Sequence, residues 1–234
     1  MKYFFAFFVL GSILLSCNSQ QDNLVLTGSV KGLVKGTLYL EQLQDSMLVA
    51  IDSVTIDGDA NFAMNLYIEE PEVYYLFVAI DASELNDERL PIFLEPGEIQ
   101  VHTKLQNFMT SAQITGSQNQ DIWKEYNKNM QRFSNKNLEL IQSTIEAQQQ
   151  QNDSLAQELS KKQDALLRSK YLATVNFARN NASNPIAPYL LLRETAYLST
   201  KYLDTVYNVL TPDVQNSMYG KELAALIKER NTNQ

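Results

Sequence analysis

The stretch Leu24-Val25-Leu26-Thr27-Gly28-Ser29-Val30, followed by Gly32, Gly36 and then Thr37-Leu38-Tyr39-Leu40, alternates apolar and polar side chains and is punctuated by glycine. Successive side chains of a strand point to opposite faces, so the alternation describes two strands that each bury one face, joined as a hairpin. The pattern continues to about Ile114. Leu48 to Ile56 and Phe62 to Tyr67 form a second pair, joined by Asp57-Gly58-Asp59-Ala60, where Gly58 supplies the positive φ of a tight hairpin turn. Val73 to Ile80 is apolar on both faces and rich in aromatic and β-branched residues, which places it centrally in the sheet. Leu90 to Leu94 and Ile99 to Thr103 form a third pair, turned by Glu95-Pro96-Gly97-Glu98 in the order a type II turn prefers. Strands at this spacing imply an antiparallel β-sandwich or open barrel over residues 24–116.

At Gly116 the period becomes helical and glycine nearly vanishes, so residues 117–234 form an α-helical region and the fold class is α+β. Ser117 suits a helix cap, with Ile122, Trp123, Tyr126 and Met130 on one side of the first helix. Leu138, Ile141, Ile145, Leu155, Leu159 and Leu166 follow on alternating three- and four-residue steps, a heptad-like seam interrupted by Gln148, Asn152 and Lys162. Packing within the chain, with Gln148 to Asp153 as a turn, is the plainer reading of that seam. The other is a homodimer through the long helices. Asn180 to Pro185 breaks the pattern, and Pro188 fits the first turn of a helix through Ala196. A further helix spans Lys201 to Leu210, Pro212 and Asp213 open another segment, and Gly220 punctuates a last helix with Leu223, Leu226 and Ile227 inward. The polar end from Glu229 to Gln234 is expected to fray.

Before the first strand, Lys2 and the apolar run Tyr3 to Leu15 have the form of an export signal, too short to span a membrane. Leu14-Leu15-Ser16-Cys17 then resembles a bacterial lipobox, in which residues 1–16 are cleaved away and the cysteine carries fatty acyl chains such as palmitate. Several acyl chains on one residue make an anchor that hardly dissociates. Residues 17–23 would be the lipidated terminus and a polar, flexible leash. The expected location is the bacterial cell envelope, on a membrane for which the outer one is favoured, with the body in the periplasm or at the surface. The formal charge of −8 repels nucleic acid.

The residues offer little chemistry. Cys17 is the only cysteine and is committed to lipid, which removes thiol catalysis. The one histidine, His102, alternates to the face opposite Val101 and is assigned no catalytic role. Zinc would need more His or Cys ligands than the chain holds, and Asp57, Asp59 and Asn61 around Gly58 read as a turn rather than a calcium loop. Glu69-Glu70 and Asp87-Glu88 read as solvated loop carboxylates beside Pro71 and Pro91. Tyr67, Tyr74, Tyr75 and Phe77 read as sheet core and edge, with stacking on a sugar or apolar ligand as the other reading. Asp45-Ser46-Met47, Asp52-Ser53-Val54, Asp153-Ser154-Leu155 and Asp204-Thr205-Val206 resemble an Asp-Ser/Thr-apolar signal for periplasmic O-glycosylation.

The order of features resembles domain of unknown function 4369, which precedes thioredoxin-like domains in lipoproteins of the Gram-negative envelope. The likeness rests on Leu26-Thr27-Gly28-Ser29-Val30-Lys31-Gly32, Gly36-Thr37-Leu38-Tyr39-Leu40, Asp52-Ser53, Asp57-Gly58 with Phe62, and Pro71 to Tyr75. It continues through Ile92-Phe93-Leu94-Glu95-Pro96-Gly97-Glu98-Ile99, Ile114-Thr115-Gly116-Ser117, Asn184-Pro185, Tyr189-Leu190-Leu191 and Ser217 to Leu223. The resemblance implies a β-sandwich-like module followed by helices. In the longer relatives a thioredoxin-like domain with a Cys-x-x-Cys pair follows, whereas this sequence stops at Gln234, so no residue here receives a redox role. The expectation is a membrane-anchored, non-enzymatic binding or accessory lipoprotein without cofactor or metal. Its partner would be an envelope protein or small ligand. The alternative is an accessory or degenerate relative of a thiol:disulfide interchange protein that lacks its catalytic domain.

Overall fold

A computed structural model describes residues 21–80, 88–194 and 197–232. Two four-stranded sheets pack face to face. One has the order β4-β1-β7-β8, from β1 (Leu24–Lys31), β4 (Asn61–Leu66), β7 (Gly97–Lys104) and β8 (Gln113–Thr115). The other has the order β3-β2-β5-β6, from β2 (Lys35–Gln44), β3 (Met47–Asp57), β5 (Glu72–Ala79) and β6 (Arg89–Leu94). The alternating residues meet between them: Leu24, Leu26 and Val30 of β1 face Leu38 and Leu40 of β2, Leu76 of β5 and Ile99 and Val101 of β7 in one buried cluster. Each fully buried leucine there contributes about 1.5–3 kcal/mol by leaving water.

All three expected hairpins turn out to be passages between sheets. β1 pairs with β4 and β7, not with β2; β3 pairs with β2, not with β4; β6 pairs with β5, not with β7. Gly58 at φ 92° and Gly97 at φ 133° do reverse the chain. A reversal carries no information about whether the next strand lies beside the last or above it, and the alternation fixes only the inward face of each strand. The β1–β7 pairing is parallel, with Gly28 opposite Val101. A Cβ on Gly28 would lie 1.8 Å from the Val101 carbonyl oxygen, so close backbone approach, not a turn, requires glycine there. β2 and β3 form a true hairpin through Asp45 and Ser46, at φ 47° and 70°, the positive values that a two-residue loop demands. β5 is central, between β2 and β6, as its two apolar faces require.

The helices follow as α1 (Gln118–Gln149), α2 (Asp153–Asn180), α3 (Ile186–Arg193), α4 (Thr200–Tyr207), α5 (Pro212–Asn216) and α6 (Met218–Thr232). Ser117 caps α1, its hydroxyl accepting the Gln120 N–H at 3.1 Å, and Asn152 caps α2 through the Leu155 N–H. Between them Gln151, at φ 54°, makes a tight turn, so α1 and α2 form an antiparallel hairpin. Trp123, Tyr126 and Met130 lie in the core between helices and sheet, so the far half of α1, which is about 48 Å long, packs against α2 alone. The seam there is Leu140, Ala147 and Leu159, while Leu138, Ile141, Ile145 and Leu155 are exposed.

Three expectations change at the chain's ends. Asn23 is no part of a leash: its amide nitrogen donates to the Ile68 carbonyl at 2.8 Å and its amide oxygen accepts the Ile68 N–H at 2.9 Å. Gly220 lies inside α6 rather than before it, and a Cβ there would meet the Val214 carbonyl oxygen at 2.0 Å. Arg230 holds the end of α6, donating to the Leu198 carbonyl at 2.7 Å. Among the described residues no helix is long and apolar enough to cross a membrane.

Candidate functional site

The sandwich and the helices are joined at one end of the β5–β6 pair. β6 is an outer strand, and its free Phe93 N–H donates to the Gln120 side-chain oxygen at 2.8 Å. β2 no longer pairs with β5 beyond Tyr74, and the Val73 N–H donates instead to the Tyr219 hydroxyl at 3.0 Å. Two carboxylates of the sandwich cap helices: Glu70 accepts the Met218 N–H of α6 at 2.6 Å, and Glu95 accepts the Gln118 N–H and the Asn119 side-chain amide of α1. Negative charge at a helix N-terminus is favourable, because the first N–H groups have no partner within the helix. Asn119 in turn accepts the Ile186 N–H of α3 at 3.1 Å. Tyr189 stands at the centre, edge-on to Phe93 and Trp123 at 5.9 and 5.4 Å between ring centres and 5.0 Å from Tyr219.

Beside this clamp opens a groove of about 510 Å³, floored by Val73 and Tyr75 of β5 and walled by Tyr189, Leu192, Met218 and Tyr219 of the helices. Asp45 and Ser46, at the tip of the β2–β3 hairpin, close one end. That size and an aromatic lining with a few polar groups are the usual properties of a ligand site. Glu72 is buried in the groove wall with its carboxylate accepting from the Gln42 amide at 2.8 Å. Burial pushes its carboxyl above the usual range; the Gln42 bond opposes this and the neighbouring Glu70 charge adds to it. The Tyr189 phenol is pushed up to about 12, chiefly by burial, and that of Tyr219 further still. Both phenols stay protonated across the physiological range. Arg193 sits at the mouth, its guanidinium 5.8 Å from the Tyr189 ring centre and 5.6 Å from that of Trp123. With Glu72, Glu222 and Asp45 against Arg193, the lining is acidic on balance. It offers aromatic faces, phenol donors and carboxylate acceptors, and among the described residues no cysteine, histidine or lysine lines it.

The residues singled out in the sequence do not converge here. Cys17 and Asp87 lie outside the described residues. His102 is on the outer face of β7, its Nδ1 2.9 Å from the Ser29 hydroxyl, and among the described residues no carboxylate bonds to its ring. Asp59 accepts both the Asn61 backbone N–H and its side-chain amide, a local turn. Glu70, read as a solvated loop carboxylate, is instead the cap of α6. The aromatic cluster divides: Tyr74 joins the sandwich core, Tyr75 lines the groove, Tyr67 is exposed, and Phe77 stacks on Tyr39 with Arg89 over its ring. Of the Asp-Ser/Thr-apolar stretches, Ser46 and Ser154 are exposed at a hairpin tip and a helix start, while Thr205 bonds back to the Lys201 carbonyl within α4. Sequence reading gave no site role to Glu72, Tyr189, Arg193 or Tyr219; Tyr189 and Tyr219 entered only through the family likeness. Glu72, a carboxylate opening an otherwise apolar strand, is the one signal in the sequence that could have found the site.

No curated protein and no solved structure matches the chain. Residues 24–123, which comprise both sheets, the Glu95 clamp and the start of α1 through Trp123, match the family model described as Domain of unknown function (DUF4369).

Proposed function

We propose that this protein is a lipid-anchored envelope lipoprotein that acts as a non-enzymatic binding or accessory module, and that the groove at the sheet–helix junction holds its partner. The observation that carries the reading is the groove itself: three tyrosines and two glutamates gathered from β5, α3 and α6. Its acidic balance and aromatic faces suit an extended segment of an envelope protein that presents a cationic or amide side chain, which attracts both carboxylate and ring. The anchor rests on the lipobox-like Leu14-Leu15-Ser16-Cys17.

The test combines two measurements. Mass spectrometry of the membrane-extracted protein should find an acylated Cys17, and Cys17→Ala should release the protein from membranes. Pull-down from solubilised membranes should then recover a partner that Tyr75→Ala and Glu222→Lys both lose while the fold is retained. An unmodified N-terminus removes the anchor, and a capture no different from background removes the binding role.

A further inference from the structure

Met47-Leu48-Val49-Ala50-Ile51 is the first half of β3, the outer strand of its sheet, and all five side chains are exposed although none is polar. Sheets ordinarily blunt such an edge with lysine, proline or an inward charge, because its free N–H and C=O groups are a template for another strand. Here the strip is uncharged and Asp45 and Asp52 flank it. We propose that β3 pairs antiparallel with β3 of a second copy of this chain, across a two-fold axis through Val49.

Backbone parity supports that axis. Gln44 and Met47 close a two-residue hairpin loop and so exchange both hydrogen bonds; Val49, opposite Gln42, faces β2 in the same way. Leu48 and Ala50 therefore direct their N–H and C=O groups outward. With the axis at Val49, Leu48 meets Ala50 of the second copy, so both outward residues on each chain are bonded, and Met47 meets Ile51. Side-chain polarity selects the same register. Only the axis at Val49 sets all five apolar residues, Met47 to Ile51, against one another. An axis moved to Leu48 leaves Ile51 beyond the end of the second copy's strand, and one moved to Ala50 sets Leu48 against Asp52 and Met47 against Ser53. Such a contact is isologous and closes at two copies. The β-bulge at Leu40/Glu41, which leaves Ile51 as the extra residue, ends it.

The test uses the full chain with Cys17→Ala, so that an added cysteine is the only thiol. Sedimentation equilibrium should show a mass that rises from monomer to dimer with concentration. Val49→Lys, which sets two ammonium groups face to face on the axis, should leave a monomer with an unchanged thermal midpoint. Under mild oxidation Val49→Cys should cross-link at least about tenfold faster than Leu48→Cys, because only residue 49 meets its own copy within disulfide reach. A monomer at every concentration, a dimer that survives Val49→Lys, or equal cross-linking at the two positions would overturn the proposal.

Discussion

The Tyr219 hydroxyl accepts the backbone N–H of Val73 at 3.0 Å, tying the first turn of the last helix to a central strand 146 positions earlier. Both groups are buried, and β2 offers Val73 no replacement. Tyr219→Phe keeps the ring against Tyr189 and removes only the acceptor, so the N–H is left without a partner. The expected loss is about 1–3 kcal/mol, read as a lower denaturant midpoint with unchanged far-ultraviolet dichroism. An unchanged midpoint would show that this bond does not hold helices to sheet.

Glu95 and Glu70 do for α1 and α6 what a local cap does for other helices. Glu95→Ala should destabilise by about 0.5–2 kcal/mol, and Glu95→Gln by less, since an amide oxygen still accepts from Gln118. Hydrogen exchange should rise first at the start of α1. Protection unchanged there would mean that Ser117 alone suffices as the cap.

Gly220→Ala sets two effects against each other. Helix propensity favours alanine by about 1 kcal/mol, but the new Cβ would lie 2.0 Å from the Val214 carbonyl oxygen and 2.7 Å from that of Gln215. These are backbone atoms and cannot turn aside, so the clash should win, with a net loss of about 1–3 kcal/mol as for overpacking. A raised thermal midpoint would refute the close contact between α5 and α6.

Glu72 makes stability depend on pH in the direction opposite to a paired surface acid. Burial raises its folded-state pKa above the unfolded value, so the folded state binds the proton more tightly. Its contribution is full below the unfolded carboxylate value and is lost as pH climbs through the raised folded one. Glu72→Gln, which keeps an acceptor for Gln42, should stabilise the protein at neutral pH and flatten the stability profile in that window. A slope identical to that of the unsubstituted protein would assign the dependence to other acids.

Much of the fold was legible in the chain itself. Alternation in Leu24 to Val30 and in Leu38 to Leu40 fixed which side chains turn inward, because a strand has only two faces. The change of period at Gly116 and the hydroxyl of Ser117 marked the first helix, since a cap acts within one turn of its own helix. These are local effects, decided by residues within a few positions of one another. The pairing of strand edges was not local: Gly58 and Gly97 reverse the chain in a hairpin and in a passage between sheets alike, so only the packed sandwich decided that β1 lies between β4 and β7. The groove is of the same kind. Glu72, Tyr189, Arg193 and Tyr219 come from three separate elements and share no sequence pattern. They meet because α3 and α6 dock where β2 stops pairing with β5, leaving backbone N–H groups that buried sheets cannot leave unpaired.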